Sequence, residues 1–243
     1  MKKRLLNLSD SIAVLKIILL LTLIFGFNDG SEKFVFNNWI SNLGLVFLLV
    51  GLVILIHVLG LKLAAKYYGT ELRIKLWNSH KFKEAKSFSK KLLLIYSTPI
   101  LNVLVMLVSN GKFYLSNVLS FDVDKEVLGR KFQYITYFNI ALIVFFGLLF
   151  NLALMWIFKL AYIDLGIKIS FFFILFSLIP LSELPGAKIL AGSVPFYVFC
   201  VVFFLANITL LYVINSFLAL LVSLIFSVTL ATLFFVFFQY KKA

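Results

Sequence analysis

Charge is scarce in this 243-residue chain. Only 14% of its residues are Asp, Glu, Lys or Arg, against about a quarter in an ordinary soluble domain. That deficit, with 63% hydrophobic residues and a mean hydropathy of +1.07, excludes a water-soluble globule and a disordered chain. A single cysteine, Cys200, excludes an internal disulfide framework and a cysteine-based metal cluster. Two histidines, His57 and His80, leave little material for metal chemistry. Acidic side chains number 10 against 23 basic ones, a net charge of +13. In a soluble protein that excess would point to nucleic acid. Here the basic residues flank apolar runs and read as anchors to an anionic membrane surface, so the expected partner is the lipid bilayer, with no nucleic acid.

What the chain does have is phenylalanine, 29 of them, and apolar runs of helical length recurring from residue 12 to residue 238. The fold class expected is an all-α polytopic membrane protein of about six to seven transmembrane helices, a single membrane domain over 1–243. The basic start, Lys2-Lys3-Arg4, mimics a signal peptide, but no small-residue cleavage site follows it, so residues 11–27 read as a retained first span. A second span covers 39–65, opening on Trp39 and closing on Lys62 and Lys66. The loop 66–91 is the most basic of the chain. The positive-inside rule places that loop and the N-terminus in the cytoplasm of a protein integral to the cell membrane. Within the loop, Glu71 to Trp77 alternates polar and apolar residues, the period of a short edge strand at the membrane surface.

Further spans are expected at about 92–109 and 133–159, with a mixed-charge loop over 110–132. A fifth begins near 167 and is broken over 177–188 by Pro180, Pro185 and Gly186. Stretches 194–214 and 216–238 form a C-terminal helical hairpin within 191–243. Their phenylalanines, among them Phe196, Phe199, Phe203, Phe204, Phe217 and Phe226, are expected to face lipid. An imidazole inside a span, as at His57, is either a functional group or a neutral ring bonded to a carbonyl or polar neighbour. Glu183, in the broken segment, is either a site carboxylate or a solvated loop residue.

Taken together these segments resemble the site-2 protease family of intramembrane zinc metalloproteases, in particular its archaeal-type members. Where that family carries HExxH on a membrane helix, this chain reads His57-Val58-Leu59-Gly60-Leu61, with a similar tail, Ala65-Lys66-Tyr67-Tyr68-Gly69. Residues Glu71 to Trp77 look like the strand that follows, and Tyr96-Ser97-Thr98-Pro99 like the next turn. Gly129 and Asn139-Ile140 fit the spacing of the AGPxxN region, with Pro99 and Asn102 as a second register. Ser177, Pro180, Ser182, Leu184, Pro185, Gly186 and Lys188 fall on the NxxPxPxLDG motif. The resemblance covers a core of about 50–190 in motif order.

The resemblance implies a zinc held by two histidines and an aspartate, with a glutamate as general base. This chain departs from that set. Only His57 survives; the base position is Val58, the second histidine position Leu61, and the aspartate position Pro185. Glu183, His80 and Cys200 are possible substitutes, and His57 with Glu183 gives two ligands, too few for a catalytic site. No cofactor is expected. The reading is a pseudoprotease that binds transmembrane segments of other proteins, with Asn139, Ser177, Pro180, Ser182 and Gly186 around His57 lining the former groove. His57 would then be a buried neutral ring, bonded to Ser177, Ser182 or a carbonyl near Pro180. The alternatives are an active intramembrane zinc metalloprotease with unorthodox ligands and a structural subunit of a larger membrane complex. A transporter is disfavoured, because the spans offer almost no ionisable residue besides His57 and Glu183.

Overall fold

A computed structural model describes residues 8–30, 33–77, 99–116, 118–123, 135–181 and 184–240. These form eight helices and two strands, in the order α1 (Leu8–Gly26), α2 (Phe36–Tyr67), β1 (Leu72–Leu76), α3 (Pro99–Val108), β2 (Leu119–Val123), α4 (Tyr137–Leu160), α5 (Asp164–Leu178), α6 (Pro185–Gly192), α7 (Val194–Leu211) and α8 (Ser216–Tyr240). Five are long and apolar enough to cross a membrane: α1, α2, α4, α7 and residues Phe217–Phe238 of α8. The chain therefore reads as a helical membrane protein. At 32 residues α2 is about 48 Å long, well beyond a hydrocarbon layer of about 30 Å.

Local chemistry sets the helix ends. Thr136 caps α4 by accepting a hydrogen bond from the Asn139 amide at 3.2 Å. Pro185 opens α6 at a position where its missing N–H costs nothing. Ser193 turns the chain out of α6 and caps α7. At the far end of α4, the Lys159 ammonium donates to the Leu211 and Ile214 carbonyls, covering the last carbonyl of α7 and one from the turn beyond it.

The layers follow from which faces are buried. α2 lies along α4, α1 along α2, α6 along α4 and α8 along α7, while α5 fills the angle between α2 and α4. The strand expected over 71–77 is present as β1, but it is not a lone edge. It pairs antiparallel with β2, from Leu72 opposite Val123 to Leu76 opposite Leu119, and β2 lies inside the stretch expected to be a loop. Leu72, Ile74 and Phe121 are buried, and β1 packs on α1. Of the third span expected at 92–109, the described residues hold the ten-residue helix α3; residues 92–98 lie outside the described set.

The phenylalanines of α7 are a second correction. Phe145 of α4 meets Phe196, Phe199, Phe203 and Phe204 with ring centroids 5.6–6.1 Å apart, so this row is a helix–helix seam rather than a lipid face. Phe203 and Phe204 are buried, while Phe217 and Phe226 of α8 stay exposed as expected. An aromatic ladder with staggered and edge-on rings gains packing energy that plain lipid contact does not.

One polar contact ties α1, α2 and β1 together. Asp10, 2% exposed in the first turn of α1, pairs with the Lys62 ammonium of α2 and accepts the Ile74 amide of β1 at 3.0 Å. Removing one member of a buried pair strands the other charge, at a cost of about 3–5 kcal/mol. Asp10→Ala should therefore lower stability by about that amount, read from tryptophan fluorescence during chemical unfolding in micelles. Asp10→Leu combined with Lys62→Leu should recover only part of the loss, because the Ile74 amide stays without its acceptor.

Candidate functional site

The candidate site is where α2 and α4 cross. Gly60 and Gly147 let the two backbones close up. A Cβ on Gly60 would sit 2.9 Å from Phe150 Cγ and 3.1 Å from Gly147 Cα. A Cβ on Gly147 would lie 2.7 Å from Leu61 Cδ2 and 3.1 Å from His57 Cε1. Small residues at such a crossing are how helices approach in lipid, where no hydrophobic force draws them together.

His57 is fully buried there. Its ring lies against the Gly147 backbone and meets Phe173 of α5 edge-on, with centroids 5.0 Å apart and planes at 73°. Neither ring nitrogen makes a hydrogen bond among the described residues. Of the expected partners, Ser177 and the described carbonyls near Pro180 make no bond to it, and Ser182 lies outside the described residues. Val58 and Leu61, at the family positions for base and second ligand, are buried apolar contacts, and Leu61 fills the space over Gly147.

The other sequence-derived residues scatter. Ser177 is buried near the end of α5, whereas Pro180 is exposed in the break. Pro185 and Gly186 are buried at the start of α6, which packs on α4 rather than α2. Gly186 is needed for close approach, since a Cβ would come within 2.6 Å of the Ile179 carbonyl oxygen and closer still to that of Leu178. The Tyr197 hydroxyl donates to the same Leu178 carbonyl at 3.0 Å, satisfying one acceptor freed where α5 ends. Lys188 reaches the Phe121 carbonyl of β2 and lies 3.5 Å from the centroid of that ring, tying α6 to the sheet. Asn139 is half-buried in the first turn of α4, about 12 Å along the axis from Gly147. Cys200 is buried in α7 beside the phenylalanine seam. Ser182, Glu183, His80 and Gly129 lie outside the described residues.

Two residues, Asn151 and Ser170, were missed in the sequence, and Asn102 was singled out only as a second register of the AGPxxN region. Asn151, one turn beyond Gly147 on α4, and Asn102 of α3 are buried with both amide atoms unpartnered among the described residues. Ser170, on α5 a turn before Phe173, has an unpartnered hydroxyl. Their signal was a polar residue interrupting an apolar run. Asn207 shows what a satisfied version looks like: its side chain accepts from Trp156 Nε1 and donates to Ser223 Oγ, both at 3.1 Å, joining α4, α7 and α8.

A zinc ion does not fit this arrangement. Val58, Leu61 and Pro185 offer no donor atom, and among the described residues no three His, Cys, Asp or Glu side chains come together. The chain matches no family model, no curated protein and no solved structure.

A fully buried ring whose nitrogens find no geometrically formed hydrogen bond among the described residues costs stability that an apolar side chain of similar size does not. His57→Leu should therefore raise the unfolding free energy in micelles, by about 1–3 kcal/mol. A loss of similar size would mean that the imidazole nitrogens hold a ligand in the membrane-embedded protein.

Proposed function

We propose that this chain is a pseudoprotease: an integral membrane protein of site-2-protease-like fold whose metal centre has been replaced by packing, and which binds transmembrane segments of other proteins. The carrying observation is the α2–α4 crossing. His57, at the sequence position matched to the family's first zinc ligand, is buried there, and Leu61, at the position matched to the second, packs over the same Gly147 with carbon. Order along the chain supports the same reading. A His-bearing membrane-length helix runs into a short strand, and later a helix ends in a Pro-rich break that a glycine closes against backbone carbonyls.

In this reading α5, the break and α6 together form one further crossing beside the five membrane-length helices, about six in all. The basic N-terminus and the loop 66–91 then lie in the cytoplasm of a cell-membrane protein, with the sheet on the same side. Client helices would dock near the break, where Pro180 and Leu181 are exposed and the chain leaves helical geometry. Polar backbone and close packing, rather than hydrophobic force, would hold them.

The test has two arms. Zinc in the detergent-purified protein should stay below about a tenth of an equivalent per chain, both in wild type and in His57→Ala. Near one equivalent, lost in the variant, would restore the metalloprotease reading with ligands from outside the described residues. A photocrosslinking residue at Leu181 should capture single-span membrane proteins that the same residue at Leu15, on the exposed face of α1, does not. Capture of one partner at fixed stoichiometry from both positions would replace client binding with a role as a subunit of a larger complex.

A further inference from the structure

The α2–α4 crossing does not exhaust the polar chemistry of this bundle. Asp10 and the sheet mark one end of α1. At the other, about 22 Å along the same helix, Phe25 forms the floor of a cavity of about 460 Å³. Phe25 stacks on Tyr114 with centroids 5.1 Å apart, so the floor is apolar and aromatic. The walls are polar: Asn28 and Asp29 follow α1, Asn42 belongs to α2, Lys112 follows α3, and Lys168 comes from α5.

The frame of this cavity is built. Gly111, at φ +70°, packs so closely that a Cβ would fall 2.8 Å from Asn28 Cβ. Asn28 accepts the Gly30 amide at 2.8 Å and donates to the Asn110 carbonyl at 3.2 Å, while Asn42 donates to the Gly26 carbonyl at 3.3 Å. Each of these side-chain amides keeps a second N–H beyond those bonds. The Lys168 ammonium is held by the Tyr114 hydroxyl at 3.0 Å and sits 4.4 Å from the centroid of its ring. Among the described residues neither Lys112 nor Lys168 has a carboxylate partner. Two ammonium groups and the Asp29 carboxylate leave the described lining one positive charge in excess.

Depth in the bilayer selects the ligand. The lining takes in the end of α1 and the first turns of α2, the same stretch that carries Trp39, whose indole N–H donates to the Phe27 carbonyl at 3.1 Å, and exposed Phe34 and Phe36. Aromatic side chains gathered at helix ends mark the headgroup level of a bilayer. An apolar floor under two ammonium groups that have no carboxylate partner among the described residues suits an amphiphile with one negative charge. We infer that this cavity binds a phosphate-bearing monoanion, the phosphodiester head of an anionic membrane lipid. The Lys112 and Lys168 ammonium groups would hold the phosphate, while the glycerol and upper acyl carbons would rest on Phe25 and Leu165. This assignment is independent of any relationship to proteases.

The experiment uses the full chain in detergent, with short-chain phosphatidylglycerol, phosphatidylcholine of equal chain length and inorganic phosphate as probes. Binding is read by native mass spectrometry and by the thermal midpoint. Phosphatidylglycerol should bind wild type about tenfold more tightly than Lys112→Gln/Lys168→Gln and raise its midpoint. Lys66→Gln, an exposed lysine at the sheet end, should bind like wild type. Both lysines of the double variant are exposed, so its own midpoint without lipid should hold. Protection by inorganic phosphate alone, at the same concentration and lost in the double variant, would keep the anion site but assign it to free phosphate. Equal binding of phosphatidylglycerol and phosphatidylcholine, or equal binding by wild type and the double variant, would overturn the inference.

Discussion

Much of this structure depends on how closely two backbones can approach. Helices in lipid gain nothing from hiding apolar surface, because the acyl chains are as apolar as leucine. Association must come from contact density, and Gly60 and Gly147 supply it by removing side chains from the α2–α4 crossing. The arrangement of α5 follows. Phe173 closes over the same crossing through the edge of the His57 ring, and Gly186 repeats the device where α6 turns back against the end of α5. A larger residue at any of these glycines would have to displace backbone or a packed ring.

Polar contacts fix the ends of what packing fixes in the middle. Asp10, Lys62 and the Ile74 amide join three elements at one end of the bundle. Lys159 covers the last carbonyl of α7 and one from the turn beyond it, and Lys188 fastens α6 to the sheet. Each lysine carries a long apolar stem that can lie along neighbouring helices while its ammonium finds a fixed acceptor. The ionisable residues that look like scattered interruptions of apolar runs are thus joints between elements.

The sequence carried the apolar helices well, because periodicity is unnecessary when a segment is apolar on every side. The ends of α1, α2, α4 and α7 fall within about four residues of those expected, the usual uncertainty of such boundaries. Strand β1 was legible from its alternation, but its partner β2 was not, since Leu119 to Val123 offers only a short, mixed pattern. The phenylalanines of α7 were misjudged for a related reason: composition cannot tell lipid from a facing aromatic helix. At the site, His57 stood out as an imidazole in an apolar run. Asn151 and Ser170, on the other helices of the same three-helix core, did not, because single small polar residues in long helices are common. Their significance comes only from burial without a partner.

Helix α8 departs from this economy of close contact. Its apolar stretch is only 11% buried and packs chiefly on α7, where Asn207 reaches Ser223 across the interface. It also leaves the ribosome after all the helices described before it. The contacts among α1, α2, α4, α5 and α6 can therefore all form before it enters the bilayer. Its arrival adds a seam along α7, secured among the described residues by the Asn207–Ser223 side-chain hydrogen bond, to a bundle whose central crossing is already closed. Assembly of this protein thus separates into an early core and a late annex, and the annex presents to its surroundings most of the surface with which it was made.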